Sequence, residues 1–177
     1  MVLVEGISDQ VALETLAERR GRKLDAEGIL LVPMGGAQSI GRFLHEFGPR
    51  GLDLRLTGLC DAAEEDEFRR GLERAGLPVG STRADLERLG FFVCVADLED
   101  ELIRALGVEV VEQVADAQRE LGSFRTFQKQ PAQQEKSTDQ QLRRWLGNRK
   151  IRYARLLVEA LDLTRVPRPL DLVLERV

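Results

Sequence analysis

The chain opens on Val2-Leu3-Val4, an apolar run that Glu5-Gly6 breaks before Ser8-Asp9 starts an amphipathic stretch. This order predicts a strand ending in a carboxylate, a tight turn and then a helix. Glu5 stands where the chain leaves the sheet, and Asp9 follows one helical turn later. In open α/β sheets ligands bind beyond the carboxyl ends of the strands. An acidic pair at that edge predicts a metal or proton-transfer site. The structural alternative is a strand-turn-helix unit in which the Ser or Asp only caps the helix.

The same alternation recurs. Val11, Ala12, Thr15 and Leu16 share one side of a helix that Gly21 ends. Gly28 to Pro33 reads as a second strand, its continuous apolar run suiting a parallel sheet covered on both faces. Gly35-Gly36 turns the chain into a helix from Ala37 to Phe47. Leu52 to Cys60 is a third strand ending at Asp61, and Glu64 to Ala75 a third helix. Phe91 to Val95 is a fourth strand, followed by Asp97-Leu98-Glu99-Asp100. Strand and helix in turn predict a parallel α/β sheet with right-handed crossovers.

After residue 101 nothing reads as a strand. Leu102 to Leu106, Val108 to Leu121, Gln140 to Leu146, Ile151 to Leu161 and Leu170 to Val177 have helical spacing, and Gln128 to Thr138 reads as an exposed loop. The expected organisation is an α/β core over residues 1–106 and a helical extension over 107–177 packed on it.

In a parallel sheet all strand ends lie on one edge, so Glu5, Asp61, Asp97 and Glu99 converge. Packed carboxylates repel unless a cation sits among them. Hard oxygen donors favour Mg²⁺ or Mn²⁺. With His45 the only histidine and no Cys-x-x-Cys spacing between Cys60 and Cys94, zinc is not expected. The alternative is a solvated acidic rim, since acids also favour helix N-termini for dipole reasons.

The residues Val2-Leu3-Val4-Glu5-Gly6-Ile7-Ser8-Asp9 resemble the opening motif of the topoisomerase-primase (Toprim) domain. The Glu-x-x-x-Asp spacing of Glu5 and Asp9 is similar to the OLD-type (overcoming lysogenization defect) nucleases within that group. The resemblance implies that Glu5 and an Asp-x-Asp after the third strand bind metal or move protons. Asp61 matches the first Asp, within Leu59-Cys60-Asp61-Ala62-Ala63-Glu64-Glu65, but Ala63 replaces the second. Glu64 or Glu65 is then the substitute acid. The resemblance further implies two metal ions: one on Glu5, Asp9 and Asp61, and a weaker one on Glu99 with Asp100 or Asp97.

That family also carries a lysine on a late helix that steadies the transition state, and Lys150-x-x-x-Ala154 is similar in position and spacing. The resemblance covers the chain well from Val2 to Leu106. Beyond that it rests on the Lys150 motif and Val166-Pro167. OLD-type nucleases usually carry an ATPase before the Toprim region. No Gly-x-x-x-x-Gly-Lys-Ser/Thr occurs here, so an ATPase partner would come from another chain.

The segment around the lysine is notable by itself. Arg143, Arg144, Arg149, Lys150, Arg152 and Arg155 occur with no acid among them. Such a cluster can contact several backbone phosphates, or simply be a solvated helix face. Trp145 within it is a stacking platform or a core anchor. The net charge of −4 does not exclude DNA as a partner, because local charge decides binding. A composition of 43% hydrophobic and 32% charged residues is globular, and no apolar run could span a bilayer. The first strand begins at Val2, so no secretory leader is expected ahead of it. Two buried reduced thiols fit a cytoplasmic protein, and the sequence is compatible with a homodimer.

Three functions are compatible with this sequence. The first is a metal-dependent phosphodiesterase on nucleic acid. The second is a non-catalytic Toprim module that binds nucleic acid or a partner ATPase. The third is chemistry on small phosphate compounds.

Overall fold

The computed structural model describes residues 1–177. Its four strands are β1 (Val2–Val4), β2 (Leu31–Pro33), β3 (Thr57–Cys60) and β4 (Phe91–Val93). They form one parallel sheet in the order β2-β1-β3-β4, as expected. The chain steps from β1 outward to β2, then returns to the other side of β1 for β3. The direction of winding therefore reverses between β1 and β3, which makes that gap the switch point where ligands bind in such sheets.

Alternation along each strand divides the interior. Val2, Val4, Leu59 and Phe92 join a core of 27 buried residues on one face, whereas Leu3, Cys60, Phe91 and Val93 join 11 on the other. The smaller side is closed by α2 (Ile40–Phe47), α3 (Glu65–Arg74) and α4 (Arg83–Leu89). The larger side holds α1 (Ile7–Arg19) and every helix after β4: α5 (Leu98–Leu106), α6 (Val108–Ala117), α7 (Leu121–Gln128), α8 (Thr138–Leu146), α9 (Lys150–Ala160) and α10 (Arg168–Arg176). Helix α1 lies along α9, and α10 packs on β3 and β4. Leu13 and Leu16 of α1 are fully buried, each such side chain contributing about 1.5–3 kcal/mol.

Several boundaries differ from expectation. Residues 52–56 are not strand: Asp53 adopts a left-handed φ of 50°, and Leu52 and Leu54 are exposed. Of that alternation only Leu56 packs, against the smaller core, so Leu52 and Leu54 have no surface to bury them. Helix α4 was not foreseen, although Thr82 and Asp85 cap it reciprocally, a spacing visible in the sequence. Helix α5 starts at Leu98 rather than Leu102, capped by Asp97. The expected helix over Val108 to Leu121 is two, because Arg119 turns left-handed at φ 59° and Glu120 N–H closes onto the Ala115 carbonyl. Helix α7 therefore claims residues up to Gln128, and the remaining loop includes a short 3₁₀ turn at Pro131–Gln133. Cys60 and Cys94 are buried free thiols, as expected.

Candidate functional site

Both strands that flank the switch point end in an acid. Glu5 follows β1 and Asp61 follows β3, and the Asp61 backbone N–H donates to Glu5 Oε1 at 2.7 Å. One carboxylate oxygen of Glu5 is thus used to tie the two strand ends, and the other is left over. Asp9, on the first turn of α1, is 8% exposed and its Oδ2 accepts the Gly6 N–H at 2.9 Å. This single bond to the N-cap backbone explains its place on the first turn, but not why an acid should be buried there.

The electrostatics answer that. Burial pushes the Asp61 carboxyl up to about 8, with repulsion from Glu5, Asp9 and Asp97 adding to it. Burial likewise lifts Asp9 to about 6, against the pull of the Gly6 N–H. Glu5 is raised by burial too, opposed by the Asp61 N–H and assisted by Asp9 and Glu64. A divalent cation would relieve all three at once. The donors are hard oxygens without a competing imidazole or thiolate, which fits Mg²⁺ or Mn²⁺. No three His, Cys, Asp or Glu side chains converge closely enough to cage an ion by themselves. Waters or substrate phosphate would have to complete the coordination.

Asp97, Glu99 and Asp100 differ from one another once the partners are known. Asp97 caps α5 by accepting the Asp100 N–H at 2.8 Å, and its other oxygen receives Arg143 Nε at 2.7 Å. Both of its oxygens are occupied. Asp100 turns to Arg104 at 2.8 Å. Glu99 is only 5% exposed and takes Lys150 Nζ at 2.8 Å. Burial pulls the Lys150 ammonium down, but the bond and charge of Glu99 hold it above its ordinary value. Lys150 is the first residue of α9, whose first turn contains no acid. A cation there opposes the helix dipole, so helix stability does not account for its place.

The position of the missing second Asp is also informative. Ala63 is exposed in the 3₁₀ turn at Ala62–Glu64. Of the two nearby acids, Glu64 is close enough for its charge to raise Glu5. Glu65 is engaged by Arg69 at 2.6 Å and Arg83 at 2.9 Å. Glu64 is the better substitute.

The basic cluster splits in two. Arg143, Arg144 and Lys150 face a cavity of about 490 Å³ that also borders Asp97 and Glu99. Arg149 lies over the Trp145 ring at 4.3 Å and 3.5 Å from Glu120. Arg152 pairs with Glu120 at 2.9 Å, and Arg155 with Glu159 at 2.8 Å. These last three are tied to acids of their own surface. Trp145 is 3% exposed between Phe124 and Tyr153, so it anchors the core. Gly36 N–H bonds the Glu5 carbonyl and is not free for a phosphate.

Sequence reasoning missed three residues. Lys136 and Gln140 border the same cavity as Lys150. The Ser137 N–H donates to Gln140 Oε1 at 3.3 Å, a capping spacing that would have set the helix start. Glu101 is buried; it accepts the Val95 N–H at 2.6 Å and pairs with Arg104 at 2.7 Å, fixing the turn after β4.

Sheet order, switch point and strand-end acids together define a Toprim-like α/β module. Residues 1–62 match the model of the overcoming lysogenization defect protein-like TOPRIM domain, which bears out the resemblance read from Glu5 and Asp9. The fold is similar to the C-terminal region of the Xanthomonas campestris pv. campestris OLD protein: TM-score 0.73 at 22% identity, covering 99% of this chain and 92% of that one. The C-terminal region of the Burkholderia pseudomallei OLD protein is similar at TM-score 0.73 and 21% identity, covering 99% and 94%. No curated protein matches the chain. No helix is long and apolar enough to cross a membrane.

Proposed function

We propose that this chain is a divalent-metal-dependent phosphodiesterase that cleaves nucleic acid. Residues 1–106 serve as its α/β core and residues 107–177 as a helical extension that carries Lys150. The carrying observation is the Asp61 N–H to Glu5 Oε1 bond across the switch point, with Asp61 pushed up to about 8 beside it. Desolvated acids that the fold keeps together, at the edge of the sheet where ligands bind, support a cation site.

Glu5, Asp9 and Asp61 would contribute oxygens to the first Mg²⁺ or Mn²⁺, with waters completing its shell. Glu99, with Asp100 nearby, would hold a second and weaker one, with substrate phosphate supplying the remaining oxygens. When bound, such an ion polarises a phosphate oxygen and lowers the pKa of its water. Glu5 is also the candidate proton carrier, since its carboxyl is already raised. Lys150 neutralises the charge that grows on the reacting phosphate. Asp97 is a positioning residue: it caps α5, which aims Glu99, and it holds Arg143. The reading has the protein act on DNA in the cytoplasm, in concert with an ATPase.

Nicking of supercoiled plasmid DNA in Mn²⁺ tests it. Glu5→Gln and Asp61→Asn should each lower the rate at least about 100-fold, the scale of losing one electrostatic stabiliser. Unchanged cleavage in both overturns the reading.

The exposed Ala63 favours a second reading, a non-catalytic module that binds nucleic acid or a partner ATPase. DNA binding without any calorimetric response to Mg²⁺ or Mn²⁺ would select it.

A further inference from the structure

The cavity beside Lys150 has more positive charge than a single reacting phosphate requires. Four cations border it against two carboxylates. Arg143 is spent on Asp97 and Lys150 on Glu99. Lys136 and Arg144 remain, and neither has an acidic partner; Lys136 Nζ donates only to the Ala132 carbonyl, at 2.8 Å. In a chain of net charge −4, whose other arginines at this end of the molecule are paired, two uncompensated cations on one wall stand out.

The wall is rigid. Gln140, Arg143 and Arg144 occur at i, i+3 and i+4 of α8, so they share one face. Leu142, Trp145 and Leu146 on the opposite side are buried and prevent the helix from turning. Gln140 Oε1 accepts the Ser137 N–H, which leaves its amide NH₂ as a donor. The cavity, about 490 Å³, is within the range that encloses a ligand of nucleotide size.

We infer that Lys136, Gln140 and Arg144 form a subsite for a second backbone phosphate, next to the one that Lys150 serves. The inference rests on the phosphodiesterase reading for its catalytic consequence. It names the substrate class as a polynucleotide rather than a compound with one phosphodiester. Arg144 and Lys136 supply the charge, Gln140 a neutral donor, and the chain of phosphates is positioned before the reacting one is engaged. Discrimination by such contacts falls on binding, and each contact adds salt dependence.

Two measurements on Lys136→Ala, Arg144→Ala and the double variant decide it. The first is anisotropy of fluorescein-labelled oligonucleotides in EDTA, at about 50 to 200 mM KCl. Each single variant should weaken binding several-fold, and the slope of log K against log salt should fall by about one per residue. The second is hydrolysis in Mn²⁺ of an oligonucleotide and of bis(p-nitrophenyl) phosphate, which has a single phosphodiester. In the double variant the ratio of kcat/KM for the oligonucleotide to that for the small ester should fall at least tenfold, mostly through KM. An unchanged salt slope, or equal loss on both substrates, overturns the subsite. If the unmodified protein hydrolyses neither substrate, the phosphodiesterase reading fails and the salt slope still decides whether the subsite exists.

Discussion

Lys150 Nζ stands 2.8 Å from Glu99 Oε2, joining the first residue of α9 to the first turn of α5. Glu99 is 5% exposed and the Lys150 side chain 44%, so the lysine can leave for a substrate while the glutamate stays. Under the phosphodiesterase reading, the free protein pairs within itself the charge that the substrate would draw on.

Lys150→Met should therefore have two effects. Removing the partner of a fully buried acid costs about 3–5 kcal/mol, and the exposure of Lys150 reduces this to about 1–2 kcal/mol. Urea denaturation should show that loss, and the double variant with Glu99→Gln should recover most of it. Cleavage should stay at least about 100-fold down in both, because the charge on the transition state is not restored and Glu99→Gln also removes the ligand proposed for the second ion. Recovery of activity with recovery of stability would reduce the pair to a structural role.

Stability should depend on pH in an unusual direction. A carboxyl raised on folding is stabilising while protonated, and its contribution is lost as pH rises through the folded value. In the metal-free protein Asp61, at about 8, and Asp9, at about 6, should make the urea midpoint fall from about pH 4 to 8. At these two groups the unfolded chain binds fewer protons throughout that window, so their contribution has a negative slope. Carboxylates that folding holds low, such as Glu65, Glu87 and Glu120, oppose it only at the acidic end. Mn²⁺ should remove most of the fall above pH 6, and Asp61→Asn should flatten it without metal. A midpoint that rises over this interval in EDTA would contradict the crowding of these acids.

Ala63→Asp should strengthen metal binding in the absence of substrate. Affinity for a hard divalent ion follows ligand charge and rigidity, and the exposed turn can accept the side chain. Calorimetry should read one firm ion in the unmodified protein, and about a tenfold gain, or 1.4 kcal/mol, in the variant. Two equally tight ions in the unmodified protein, or no gain, would remove Ala63 from the account.

Trp145 should report on the core and not on DNA. It is the only tryptophan and is 3% exposed, so oligonucleotide binding should leave its emission unquenched. Trp145→Ala should destabilise the protein by about 3–5 kcal/mol, through the cavity it leaves against Phe124 and Tyr153. Quenching in proportion to bound DNA would restore the stacking role.

Local pattern alone located the strand-end acids. Val2-Leu3-Val4 before Glu5, and the apolar run before Asp61, show the strand by its neighbours two residues away and the helix by those three or four away. Parallel pairing then carried Glu5 and Asp61 to one edge, and the structure shows them bonded there. Residues 52–56 show where that logic stops, since alternation promises a strand only when another surface buries it. The partners of the charges were beyond it altogether. Asp97 meets Arg143 across 46 residues, Glu99 meets Lys150 across 51, and Arg152 finds Glu120 across 32. No period of two or of 3.6 residues encodes such separations. The packing of α8 and α9 on α5 and α6 decided which arginines face the cavity and which are neutralised at the surface, because a charge's effect depends on what tertiary contact brings within a few ångströms of it.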